Sequence, residues 1–194
     1  MGDEAILDQF ASLNVWKQGD QRAPHKPLLV LYALGRWCRG EQGAIAFRDA
    51  EGNLTELLKR FGPPRQSYHP EYPFWRLQND GVWQMTASGA LTSRQSNTDP
   101  PKSELIANNA CGAFSDEVQS ALRSDPSLAS KIAGRLLEGH FPASLHEDIL
   151  EAVGLDLTVA VAGSTAHPES DGATTASGFF WWNGVELLRL QLLA

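Results

Sequence analysis

Arg22, His25 and Lys26 place a guanidinium, an imidazole and an ammonium within five residues, directly ahead of Pro27 and the apolar run Leu28-Leu-Val-Leu-Tyr-Ala-Leu-Gly-Arg-Trp-Cys38. Side chains of this kind at a helix N-terminus suit a phosphate, because the first N–H groups of a helix and its positive dipole end also face an anion there. A second block, Tyr68-His-Pro-Glu-Tyr-Pro-Phe-Trp75, crowds aromatic and imidazole rings around two prolines. Proline fixes φ and removes a backbone donor, so the block reads as a stiff loop that holds an apolar face ready for a ligand. Within it, Tyr72 and Pro73 are expected to stay accessible, while one of Phe74 and Trp75 turns into the core. Taken alone, each block has a plainer reading: solvated residues before a helix, and rings sealing one end of a core.

The elements that must position these residues follow from periodicity. A helix is expected from Asp3 to Leu13, then a turn at Gly19 and Asp20. Pro27 suits the first turn of the next helix, which is apolar nearly all round and must be the central core element. Gly40 and Gly43 end it, Ala44 to Phe47 forms a short strand, and Asn53-Leu-Thr-Glu56 has capping-box form for a helix through Phe61. After Gly62-Pro-Pro64 and the ring-rich loop, Phe74 to Gln78 alternates, Asn79-Asp-Gly81 is a hairpin turn, and Val82 to Met85 returns antiparallel. From Ser103 onward the chain reads helical, with helices over 115–123, 127–140 and 144–153. The fold class is therefore α+β: a mostly helical single domain around a central apolar helix with a small antiparallel hairpin or sheet, spanning residues 1–156. Residues 157–194, rich in Ala, Gly, Ser and Thr up to 178, read as a linker-like tail.

With 194 residues and 42% apolar content, the chain has material for a sizeable core, and its longest apolar stretches fall short of the roughly 20 residues a membrane span needs. The two cysteines, Cys38 and Cys111, are too few for a disulfide framework and read as small buried hydrophobes of a cytoplasmic protein. A net charge of −7 argues against a nucleic-acid partner only as a sum: residues 21–102 carry 11 basic against 7 acidic residues, and residues 103–194 carry 4 against 12. A polyanion responds to the face within a Debye length of about 10 Å, so the positive half matters more than the total.

No catalytic pattern emerges. The five histidines include no His-Glu-X-X-His and no pairing with cysteines for zinc. A glycine-rich phosphate loop, a Gly-X-Ser-X-Gly elbow and a carboxylate cluster for magnesium are likewise missing from the sequence. His140 and His146, on either side of Pro142, suit capping or packing. The expectation is a chain that is not an enzyme and that needs neither metal nor cofactor.

Arg22-Ala-Pro-His-Lys-Pro-Leu-Leu, Gly62-Pro-Pro-Arg, Tyr68-His-Pro-Glu-Tyr-Pro-Phe-Trp-Arg-Leu, Asp80-Gly-Val-Trp83 and Phe141-Pro-Ala-Ser-Leu-His-Glu-Asp-Ile-Leu, in this order, resemble the sulfur-binding domain of phosphorothioate-dependent McrA-like (type IV) restriction endonucleases, from about residue 5 to 156. The resemblance implies a prokaryotic, cytoplasmic recognition module for double-stranded DNA in which sulfur replaces one non-bridging phosphate oxygen in the Rp configuration. It implies a sulfur pocket of Arg22, Tyr72 and Pro73, with Arg76 near the bases, and Gln21, His25, Lys26, Asn79 and Arg94 on the backbone or base edges. The endonucleases of this family carry a His-Asn-His nuclease domain that has no counterpart here.

The chemistry suits the residue types. Sulfur is larger and less strongly hydrated than oxygen, so a tyrosine face and a pyrrolidine ring can receive it without a donor. An ordinary phosphate oxygen in the same notch would lose its water and gain no hydrogen bond, a penalty on the order of 1–3 kcal/mol. Two other readings remain open at this point: a nuclease whose His-Asn-His domain is missing or supplied by a partner, and an interaction module whose proline-aromatic loop docks a peptide.

Overall fold

In a computed structural model that describes residues 2–18, 21–91 and 99–156, the run from His25 to Cys38 forms helix α2 at the centre of the molecule. Leu28, Leu29, Val30, Leu31 and Leu34 are all fully buried, as a helix apolar on every side requires. The other elements wrap it: α1 (Asp3–Ala11), a two-stranded ribbon of β1 (Lys17–Gln18) and β2 (Gln21–Arg22), β3 (Ile45–Ala46), α3 (Phe47–Phe61), α4 (Glu71–Arg76) with a 3-10 turn at Leu77–Asp80, β4 (Trp83–Thr86), α5 (Lys102–Ala107), β5 (Cys111–Phe114), α6 (Asp116–Ser124), α7 (Leu128–His140) and α8 (His146–Val153). Helices α3, α4, α7 and α8 pack directly on α2, and α1 lies on α7. This is the mostly helical α+β domain expected, with an antiparallel sheet of order β3-β5-β4.

Three expectations change. The segment from Phe74 to Gln78 is not the first strand of a hairpin but the end of α4 and the 3-10 turn. The period that decides is three to four: Phe74 and Leu77 are buried on one side, while Tyr72 and Arg76 are exposed on the other. Pro70 is the N-cap and Pro73 falls in the first turn, where a missing N–H costs nothing. The turn signal at Asn79-Asp-Gly81 is real but ends a helix, with Gly81 at φ +76°. Second, the partner of β4 is β5, inside a stretch that reads as helical. Third, α3 starts at Phe47 and not at Asn53, whose amide sits within the helix and donates to the Tyr32 hydroxyl and the Asp49 carbonyl.

The cysteines also depart from expectation, Cys38 being exposed at the end of α2 and Cys111 half-buried. The turn at Gly19 and Asp20 lies outside the described residues, as do residues 157–194. Among the described residues, no helix is long and apolar enough to cross a membrane.

An aromatic chain joins the sheet to the helices. Phe47 meets Phe74 at 5.0 Å, Phe74 meets Trp83 at 5.7 Å, Trp83 meets Phe114 at 5.8 Å, and Phe114 reaches Phe10 and Trp37, all edge to face. The chain thereby clamps α4 against β4 through Phe74. At the other end of α2, Arg39 Nη1 donates to the Val153 and Gly154 carbonyls, capping α8.

Gly112, in the middle of β5, has the Trp83 indole lying across it. A Cβ there would come within 2.3 Å of Trp83 Cζ2. G112A is expected to displace the indole and lower the stability by about 1–3 kcal/mol, read as an earlier midpoint in chemical denaturation.

Candidate nucleic-acid interface

Three segments converge at the N-terminal end of α2. The ribbon β1–β2, with Lys17 opposite Arg22 and Gln18 opposite Gln21, leads straight into it, and the Ala23 N–H donates to the Trp16 carbonyl at 2.9 Å. The loop from Gly62 to Pro70 is fixed partly by the Arg65 N–H, which donates to the Tyr68 hydroxyl. Helix α4 packs on α2 and shows Tyr72 and Arg76 on its outer side.

The locking contact between α2 and α4 is a buried ion pair. Lys26 Nζ bonds Asp80 Oδ2 in the 3-10 turn, with side chains only 11% and 6% exposed, and Asp80 Oδ1 also accepts from the Asn14 N–H at 2.8 Å. This corrects the expectation for Lys26: its ammonium points into the structure, not toward a ligand. The reason is geometric, since the second residue of α2 lies over the turn that closes α4.

Tyr72 is 39% exposed, and it is not a loose ring. His69 stacks on it at 4.7 Å between centroids and 13° between planes, and the Arg76 guanidinium lies 5.0 Å from its centre. Arg76 is itself held by the nearly buried Asp99, to which its Nε donates at 2.6 Å, while half of its side chain stays exposed. Pro73 departs from expectation: it is buried, because the first turn of α4 faces α2 there. Asn79 is exposed in the turn after α4.

His25, half-buried at the start of α2, reports the local field. Burial pushes its pKa below the ordinary 6.5, and Arg65, His69 and Arg76 push it the same way. Several positive groups thus converge on one point at a helix N-terminus, an arrangement that favours an anion. Gln21 and Arg22 are placed by their backbone on β2, adjoining this point, and Arg94 lies outside the described residues.

Arg65, His69 and Trp16 are the members that motif reading did not single out. Arg65 follows a Pro-Pro pair, and His69 sits three residues before Tyr72, a spacing whose meaning depends on α4 being helical. Trp16 is 59% exposed beside the ribbon. His146 has the packing role expected, its Nε2 lying 3.0 Å from the Phe141 carbonyl. Among the described residues, no group of three or more His, Cys, Asp or Glu side chains is placed to hold a metal ion.

Fold and site together give a small helical domain with chemistry suited to an anion: the N-terminal end of the central helix, Arg65 of the loop before α4, and Arg76 and the supported Tyr72 of α4 itself meet at one corner of the surface. The chain belongs to the family of ScoMcrA-like DNA sulfur-binding domains, whose family model matches residues 3–158.

Solved structures share the fold. The isolated sulfur-binding domain of ScoMcrA complexed with phosphorothioated DNA superposes with a TM-score of 0.66 at 22% identity, covering 80% of this chain and 97% of that one. The sulfur-binding domain of SprMcrA, also complexed with phosphorothioated DNA, gives 0.64 at 23% identity, covering 80% and 95%. A ScoMcrA chain with sulfur-binding and SRA domains, again complexed with phosphorothioated DNA, gives 0.65 at 24% identity, covering 77% of this chain. This chain spans only 46% of that two-domain protein. At these identities the likeness is one of fold. Comparison with curated proteins gives no match.

Two measurements check the site. K26A leaves the Asp80 carboxylate buried without its cation, so it is expected to cost on the order of 3–5 kcal/mol in denaturation and not to behave as a simple loss of one surface charge. For His25, the folded pKa lies below the unfolded value, so the unfolded chain takes the proton first and this residue's contribution to stability falls as pH drops below about 6.5. In an NMR titration the His25 ring is expected to titrate below 6.5 in the protein alone and to move upward on adding a DNA duplex, since a phosphate favours the imidazolium.

Proposed function

We propose that this chain binds double-stranded DNA carrying an Rp phosphorothioate, reading the sulfur through an apolar wall beside cationic groups. The observation that carries the reading is Tyr72, exposed yet braced by His69 and Arg76, next to the positive N-terminal end of α2. Membership of the sulfur-binding family supports it, and so does what the related structures hold.

In this reading Tyr72 is the wall and Arg22, on the adjoining strand, is the cation for the phosphorothioate charge. Pro73 contributes from below, as the rigid first turn that fixes where Tyr72 stands. Normal DNA is rejected because its oxygen would be stripped of water against the ring without a donor in return. A fixed wall also separates the two stereoisomers, since the non-bridging positions point in different directions. Arg76, tethered by one edge to Asp99, is the candidate for a guanine edge, where a bidentate contact is worth about 1–3 kcal/mol of discrimination. Gln21, His25 and Asn79 are assigned to the backbone or base edges, and Arg94 keeps the same assignment from its sequence position. Lys26 is withdrawn from it.

We assign residues 1–156 to this module and 157–194 to a tail beyond it. The module is a non-catalytic, cytoplasmic reader in a modification-dependent restriction system, where cleavage requires a separate nuclease domain.

The test is a pair of short duplexes, identical except for one Rp sulfur, titrated by fluorescence anisotropy. The sulfur duplex is expected to bind about tenfold or more tightly, equivalent to about 1.4 kcal/mol or more. Y72A is expected to bring the ratio close to one while leaving much of the salt-dependent binding to both duplexes. Equal affinity of the wild type for the two duplexes overturns the reading, and an unchanged ratio in Y72A moves the pocket elsewhere. Cutting of modified plasmid by the purified chain with Mg²⁺ or Mn²⁺ would overturn the assignment as a reader without catalysis.

A further inference from the structure

Among the ion pairs that Lys and Arg form in the described residues, Arg76 with Asp99 is unlike the rest. Lys26 and Asp80 are buried together, while Arg60 with Asp148 and Lys59 with Glu56 stand together in solvent. Here the acid is hidden, with 9% of its side chain exposed, and half of the arginine stays open. A carboxylate withdrawn from water beside a surface that receives a polyanion is unfavourable on two counts, lost hydration and repulsion of the ligand. Its use has to lie in what it does to Arg76.

Both ends of the pair are firmly mounted. Arg76 is the last residue of α4, whose Phe74 is fully buried between Phe47 and Trp83. Asp99 stands directly before Pro100 and Pro101, and a proline biases the residue ahead of it toward extended backbone. Pro100 is buried and Pro101 is the N-cap of α5. The Arg76 Nε–H donates to Asp99 Oδ2 at 2.6 Å, so the edge left for a ligand is the fork of the two Nη nitrogens.

Two consequences separate a held arginine from a free one. Paired with a carboxylate, it is nearly neutral at a distance, so it adds little to counterion release and gains little from a phosphate. Its N–H groups nevertheless keep their direction, and a fixed fork matches O6 and N7 of guanine. Such an arginine sorts bases more than it adds affinity.

We propose that Asp99 is a positioning residue for sequence preference: it holds Arg76 by Nε, cancels most of its pull on phosphates and leaves the Nη fork for a base edge beside the modified linkage. The inference rests on the reading of this corner as the DNA-binding surface. It adds a residue from outside α2 and α4, one that turns a cation into a base reader. Removing Asp99 therefore makes binding less selective and, at low salt, tighter.

The experiment uses the whole chain and a set of duplexes, each with one Rp sulfur, that differ in the base pair beside the modified linkage, titrated from about 50 to about 200 mM salt. The wild type is expected to favour one base pair about tenfold over the worst, the scale of one bidentate contact. D99A, which frees the guanidinium, is expected to narrow that spread to about threefold or less and to steepen the dependence of affinity on salt by about one unit, as a newly available cation would. D99N, which keeps an acceptor in place without the charge, is expected to steepen the salt dependence while keeping part of the spread. R76A is expected to remove the spread with the salt dependence close to that of the wild type, and D99A added to R76A to narrow the spread no further. A D99A variant that keeps the base preference, or that loses it without a steeper salt dependence as a merely structural residue would, overturns this inference and leaves the binding reading standing; so does an R76A variant that keeps the base preference. If the wild type shows no preference for a sulfur duplex over its unmodified twin, the binding reading falls and takes the inference with it.

Discussion

A lysine at the second position of a helix that must be buried on all sides poses a conflict, since an isolated ammonium in the interior costs several kcal/mol. Asp80 resolves it and thereby sets the geometry of everything around the site. Through Lys26 and the Asn14 N–H, this one carboxylate ties together the start of α2, the segment after α1 and the turn that closes α4. The N-terminal end of the central helix and the helix that bears Tyr72 are consequently parts of one rigid corner. Had Lys26 reached into solvent, those elements would have met only through apolar contacts, which are less directional.

The exposure of Tyr72 has a cause of the same kind. Phe74 is fully buried between Phe47 and Trp83, and on a helix the residue two positions earlier points nearly the opposite way. An aromatic core contact therefore sets where the outward ring stands. The prolines assist: Pro70 and Pro73 begin a helix of only six residues, too short to persist by its own hydrogen bonds, and limit the conformations from which it must be selected.

Much of this was readable in the sequence, and the failures have identifiable causes. The central helix was legible because eleven nearly continuous apolar residues leave no alternative, and α3, α6, α7 and α8 were legible from three-four spacing near their caps, though not the first turns of α3. The strand β5 was not, because Cys111-Gly-Ala-Phe114 is only four residues, three of them small, and its assignment depends on distant partners, Ala46 lying 65 positions before Cys111 and Trp83 lying 31 positions before Phe114. The hairpin at Phe74 to Met85 was misread for a related reason: over five residues, periods of 2 and 3.6 both fit, and burial of Phe74 with Leu77 decides between them. At the site, residue types pointed to an anion and an aromatic wall, but the inward turn of Lys26 and Pro73 and the arrival of Arg65 and His69 depend on α4 being helical, which local pattern alone did not disclose.

The capping of α8 by Arg39 has a mechanical consequence. Arg39 follows the last residue of α2, and its guanidinium grips the Val153 and Gly154 carbonyls, so the chain leaves α8 beside one end of α2 while His25 and α4 lie at the other. A 14-residue helix is about 21 Å long. A hydrogen-bonded rod of that length, buried over most of its surface, separates the two ends, and a load applied at the exit would be carried along it to the turn that presents His25.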